Sequence, residues 1–152
     1  MNELRQQALR LLPRREYTHA ELRNKLAGGQ TGDKTAEDID TVLAGLAACG
    51  LLSDARAAAS YLHAHGGRFG VARLRQALRT KGLDDETISA SIEAAGLADE
   101  TERACAVWRS KFRMAPKDPR DWARQARFLQ SRGFSTDVIR HLLKDRKKQD
   151  HE

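Results

Sequence analysis

Five groups of residues in this sequence carry side chains of the kinds that do chemistry. His63-x-His65, with Cys49 and Cys105, holds enough ligand types for zinc. The spacing matches no tetrahedral zinc pattern, because each chelating pair needs two ligands a few residues apart. Both cysteines fall within apolar helix patterns, which predicts buried, inert thiols. Gly28-Gly29-Gln30-Thr31-Gly32-Asp33-Lys34-Thr35 ends like a phosphate-binding loop, yet Asp33 breaks the Gly-Lys-Thr ending and no strand precedes it. His19, His63, His65, His141 and His151 have no nucleophile motif, metalloprotease motif or carboxylate pair beside them. Asp84, Asp85 and Glu86 suit a helix first turn, where carboxylates favour the dipole. Trp108, Phe112, Trp122, Phe128 and Phe134 could stack bases, but at helical spacing they read as the core of the last part of the chain. No enzyme, metal site or cofactor is expected.

The positive charge is the more informative feature. Lys+Arg 27 against Asp+Glu 21 gives +6, and the excess is segregated. Arg68, Arg73, Arg75, Arg79 and Lys81 occupy a stretch without a carboxylate. Gly82 to Glu102 then holds seven acidic residues and no basic one. Nine basic residues between Arg103 and Arg132 face only Asp118 and Asp121, and Arg140 to Lys148 adds five against Asp145. On a helix from Val71 to Lys81, Val71, Leu74 and Leu78 make the buried stripe, with Arg75 and Arg79 one turn apart beside it. Arg140 and Lys144 repeat that spacing. Such runs suit a polyanion, either nucleic acid or an acidic protein groove; they also solvate helix faces.

The elements that must position these charges are helices. Ile39, Val42, Leu43 and Leu46 form one apolar stripe, as do Leu4, Ala8, Leu11 and Leu12. Thr18-x-x-Glu21 and Thr35-x-x-Asp38 predict capping boxes; Ser53, Asp84, Asp118 and Ser135 predict further N-caps. Gly50, Gly82 and Gly133 each end a helical pattern before an apolar residue, as a left-handed C-terminal cap requires. Tyr17 and Tyr61 are expected between repeats with their hydroxyls at solvent. No stretch alternates like a strand.

The segment Gly70–Leu83 is repeated at Asp121–Phe134, with Gly82 and Gly133 51 positions apart. A weaker copy begins at Ala20. The expected fold is all-α, three tandem three-helix repeats forming an elongated, curved array: residues 1–52, 53–97 and 98–146, then a disordered basic tail at 147–152. With no run of 18 apolar residues and no apolar leader, a cytoplasmic protein is expected.

Four stretches taken together resemble the RecX family of regulatory proteins. They are Leu12 to Leu26, Gly50-Leu51-Leu52-Ser53-Asp54-Ala55-Arg56, Gly70-x-x-Arg73-Leu74-x-x-x-Leu78-x-x-Lys81-Gly82-Leu83, and Phe128-Leu129-Gln130-Ser131-Arg132-Gly133-Phe134-Ser135. The chain departs from the family's usual pattern at Ala57 and Ala77, where an aromatic and an acidic residue are common. The resemblance implies a monomer that binds the groove of the RecA–DNA filament. It also implies tuning, mainly inhibition, of RecA ATPase, strand exchange and coprotease activity in recombination and the SOS response. Direct contact with single- or double-stranded DNA fits the same charge. The residues expected to make these contacts are Arg68, Arg73, Arg75, Arg79, Lys81, Arg124, Arg127, Arg132, Arg140 and Lys144. The competing reading is a stand-alone helical DNA-binding protein of helix-turn-helix repressor type.

Overall fold

A computed structural model describes residues 2–29 and 35–150. Most of the Gly-Asp-Lys-Thr segment, Gly32 to Lys34, lies outside them. Among the described residues there are nine α-helices and no strand. They are α1 (Asn2–Leu11), α2 (His19–Gly28), α3 (Ala36–Ala48), α4 (Asp54–His65), α5 (Val71–Thr80), α6 (Asp85–Ala95), α7 (Glu100–Lys111), α8 (Pro119–Ser131) and α9 (Thr136–Asp150). The helices group into two compact units, Met1–Tyr61 with Leu78–Ala94, and Leu62–Ala77 with Ala95–Glu152.

In the first unit the apolar stripes named above turn inward. Leu4 and Ala8 of α1, Leu22 and Leu26 of α2, and Ile39, Val42, Leu43 and Leu46 of α3 are buried in one cluster. Tyr17 belongs to this cluster with 5% exposure. It is a core residue of the first three helices, not a spacer between repeats, and the Arg15 guanidinium covers its ring at 3.8 Å. Cys49 also departs from expectation: it is exposed. It is the C-cap of α3, one step past the last helical residue, so the core is closed by Leu43 and Leu46 instead.

Both expected capping boxes form, and the one at Thr18 does more than end a helix. Its hydroxyl accepts from the Glu21 amide at 3.1 Å and donates to the Lys81 carbonyl at 2.6 Å. Glu21 in turn accepts from the Thr18 amide at 3.0 Å and pairs with the Lys81 ammonium at 3.2 Å and with Arg15 at 3.3 Å. The start of α2 is thereby fastened to the turn between α5 and α6. At that turn Gly82 has φ +89°, and a Cβ there would overlap that of Ala20.

Partial burial pushes the Glu21 carboxyl up. The Thr18 amide, the Lys81 ammonium and Arg15 outweigh it, leaving the carboxyl below its ordinary value. Stability drawn from this group is therefore complete above the unfolded glutamate value and is lost as pH falls through the folded one. Denaturant titrations between about pH 5 and pH 3 should show a stability loss that is shallower in Glu21→Gln. Parallel pH profiles for the two proteins would remove this role.

The second unit has its own core, built on Ala104, Val107, Trp108, Phe112, Leu129, Phe134, Ile139, Leu142 and Leu143. The buried Trp108 indole donates to Gln125 Oε1 at 2.7 Å, and Gln125 Nε2 donates to the Met114 carbonyl at 3.1 Å. A buried polar pair is tolerable only when satisfied in this way. Pro119 opens α8 behind the Asp118 cap, as its fixed φ suits the first helical position. Cys105 is half-buried beside this core, with Arg146 Nη2 donating to its sulfur at 2.7 Å. Among the described residues α9 continues to Asp150. No glycine or proline interrupts it, and lysines in a last turn favour the negative end of the helix dipole.

Candidate polyanion-binding surface

The ten expected contact residues divide between the two units. Arg79 and Lys81 lie in the first. Arg79 pairs with Asp85 at 2.9 Å, both side chains largely exposed. Lys81 pairs with Glu21, and its ammonium sits 5.4 Å from the centre of the Tyr61 ring. Lys81 thus fastens α2 to the turn between α5 and α6, with its charge already answered.

The other eight belong to the second unit, and there the fold gathers three of them. Arg73, in the first turn of α5, donates to the Ser131 carbonyl at 2.9 Å and lies 4.2 Å over the Phe69 ring. The Gly70 amide donates to the Arg132 carbonyl at 2.8 Å. Arg132 covers the Phe128 ring at 5.1 Å. Arg68 bonds the Ala64 carbonyl at 3.4 Å and contacts His65 Nδ1 at 3.2 Å. The start of α5 and the turn before α9 therefore bring Arg68, Arg73 and Arg132 into one region.

Two groups on α7 hold that region in place. The α5 first turn carries no acidic residue of its own, and Glu100 supplies one by accepting from the Val71 amide at 3.2 Å. Arg103, only 6% exposed, donates to the carbonyls of Ala98 at 2.6 Å and Phe69 at 3.2 Å. Burial pulls its guanidinium below the ordinary arginine range, partly offset by Glu100 and Asp99. Sequence reading placed Arg103 in a solvated basic run. The signal that distinguishes it is Ala104 beside it and Val107 four residues on, which put Arg103 at the edge of the buried stripe of α7.

A second gathering surrounds Phe112 and Phe128, whose rings meet edge to face at 5.4 Å. Arg124 lies 5.1 Å from Phe112, and Lys111 lies 4.3 Å from Phe128. Cations over aromatic faces are held in place without being neutralised. Lys111 was not among the expected residues, although it belongs to the same basic run. Arg124 was, but Asp121 neutralises it at 2.7 Å. Hydrogen bonds from Arg124, then from the Lys117 amide, hold the Asp121 carboxyl below its usual value.

Arg75 is half-buried on α5. Arg127 on α8 and Arg140 and Lys144 on α9 are exposed, and among the described residues none of these three has a carboxylate within ion-pair distance. Of the five aromatics expected in the core, Trp122 is the exception, 38% exposed at the start of α8. No cluster of three or more metal-ligating side chains occurs among the described residues, and no helix there is long and apolar enough to cross a membrane.

Residues 53–92 match the second three-helix domain of RecX, and residues 98–143 match the third. The chain is 45% identical to the regulatory protein RecX of Leptothrix cholodnii over 141 residues, covering 93% of this chain and 87% of that one. It is 39% identical to the regulatory protein RecX of Pseudomonas entomophila over 145 residues, covering 94% and 91%. The crystal structure of RecX from Lactobacillus salivarius shares the fold at a TM-score of 0.75, with 18% identity and 96% of each chain covered.

Proposed function

Because this chain belongs to the RecX family of regulatory proteins, we propose that it regulates by binding, and that its ligand is the groove of a RecA–DNA filament. The observation that carries this reading is the uneven fate of the basic residues. Arg79, Lys81 and Arg124 are matched by carboxylates. Arg127, Arg140 and Lys144 are exposed without one, while aromatic rings position Arg73, Arg132 and Lys111. An exposed, preorganised and unneutralised set of cations is what a polyanion needs, since each contact with a phosphate releases counterions.

On this reading the protein acts in the cytoplasm as a monomer, with modules at 1–52, 53–97 and 98–146, and slows ATP hydrolysis, strand exchange and coprotease action by RecA. No residue in the proposal transforms a substrate. Arg68, Arg73, Arg75, Arg132, Arg127, Arg140 and Lys144 are the proposed contacts; Arg79 and Arg124 contribute what their partner carboxylates leave.

Charge reversal on α5 tests that helix's part in the proposal. Arg75→Glu with Arg79→Glu should weaken inhibition of RecA ATPase on single-stranded DNA by about tenfold, close to 1.4 kcal/mol. Unaltered inhibition by the double variant would take α5 out of the surface. Competition with random duplex in the absence of RecA separates the repressor reading, which requires tight, sequence-selective binding to DNA alone.

A further inference from the structure

The exposed position of Trp122 is unexpected for its place on α8. Trp122, Gln125 and Leu129 follow one another at i, i+3 and i+7, so Trp122 continues the stripe that turns the other two inward. At the first turn of α8 that stripe runs out from under the core and faces a groove of about 500 Å³. Pro116, Trp122 and Leu143 form apolar walls, and Lys117, Lys144 and Lys147 line the same groove. Asp118 is its one carboxylate, and that group accepts from the Asp121 amide at 2.7 Å as the α8 cap. Neither Lys144 nor Lys147 has an ion-pair partner among the described residues.

We propose that this groove binds an acidic protein segment, one apolar side chain of which enters beside Trp122 while flanking carboxylates meet the lysines. Charge complementarity selects the occupant: Lys144 and Lys147, without ion-pair partners among the described residues, face a single lining carboxylate already engaged in capping, while Lys117 also acts on Asp121. The wall chemistry selects a side chain over a nucleotide. Trp122 is the one exposed Trp, Tyr or Phe ring among the described residues, whereas single-stranded nucleic acid is held on successive rings along a basic track. Pro116 and Leu143 are buried behind the Trp122 ring, an aliphatic floor with no group to read a base edge. The pairing of an aromatic anchor pocket with a charged rim is the usual anatomy of a protein-recognition hot spot.

The inference rests on the reading above only in expecting a protein partner, and its test contains no RecA. The full chain is titrated with a fluorescein-labelled synthetic peptide of Asp and Glu residues around a central Leu. Binding should weaken about tenfold in Trp122→Ala, in Lys144→Glu with Lys147→Glu, and when the peptide's Leu is replaced by Ala. Trp122 is exposed, so its variant should keep the native helical circular dichroism; the lysine pair probes the same groove without touching its apolar walls. Peptide binding indifferent to both protein variants overturns the proposal. So does a thymidine oligonucleotide that binds more tightly than the peptide and depends on Trp122.

Discussion

Replacing Gly133 by alanine should destabilise the second unit by about 3 kcal/mol, the sum of a left-handed backbone penalty and an overpacked contact. Gly133 has φ +91°. A Cβ there would overlap the Cβ of Arg73 and approach the Arg73 backbone nitrogen to 2.7 Å. The facing residue cannot yield, because it is the first turn of α5, pinned by the Gly70 amide on the Arg132 carbonyl and by Arg73 on the Ser131 carbonyl. Gly70 is equally constrained, since a Cβ on it would overlap the Gly133 carbonyl. Gly67 is the control: a Cβ there meets nothing within 4 Å, and its φ is not positive. Gly67→Ala should therefore change stability by less than about 1 kcal/mol, with the sign favouring alanine. Urea unfolding of both variants measures the difference. A Gly133→Ala protein as stable as Gly67→Ala would show that the α5 contact with the turn before α9 is not close.

Reversing Arg127, Arg140 and Lys144 together to glutamate should weaken RecA inhibition by about 100-fold. Each exposed charge contact contributes up to about 1 kcal/mol, so three give about 3 kcal/mol, and 1.4 kcal/mol is a factor of ten. None of the three has a carboxylate within ion-pair distance among the described residues, so the triple variant should retain wild-type stability within about 1 kcal/mol. The salt dependence should flatten too, by nearly one unit of log–log slope for each phosphate that the variant no longer engages. Arg124→Glu is the instructive comparison. It removes the partner of Asp121 and leaves two carboxylates facing each other, so it should cost stability while reducing inhibition less. If Arg124→Glu reduced inhibition more than the triple variant, a neighbouring carboxylate would not be what decides which cations are free to bind.

Much of this arrangement is legible from residues alone because its determinants are local. A threonine three residues ahead of a carboxylate suffices for the boxes at Thr18 and Thr35, and both form. Glycine after an apolar stripe suffices for the left-handed turns, and Gly50, Gly82 and Gly133 all have positive φ. The all-α fold follows from the 3.6-residue spacing of leucines that are indeed buried, such as Leu43, Leu74 and Leu129.

What periodicity cannot supply is the cover over each stripe. Trp122 sits on the inward stripe of α8 and is exposed because the segment before the helix leaves its first turn open. Arg103 shows the reverse, a cation in a basic run that is buried because two carbonyls of other segments are there to receive it. Lys81 looked like one more cation on an unopposed stretch, yet Glu21, 60 positions earlier in the chain, meets it. Cys49 follows a helix that stops one residue too soon to bury it. For Lys81 the deciding partner is distant in sequence, and composition or spacing carries no record of it; Trp122 and Cys49 are decided by where the adjoining segment or the helix itself ends.

The most direct test of the central claim is the rate of ATP hydrolysis by RecA on single-stranded DNA as this protein is added. Unneutralised cations on a helical scaffold, engaging a nucleoprotein filament, should slow hydrolysis when the protein is far less abundant than RecA, and the effect should fade as salt is raised. A hydrolysis rate that stays constant even with the protein in molar excess over RecA at low salt would contradict it.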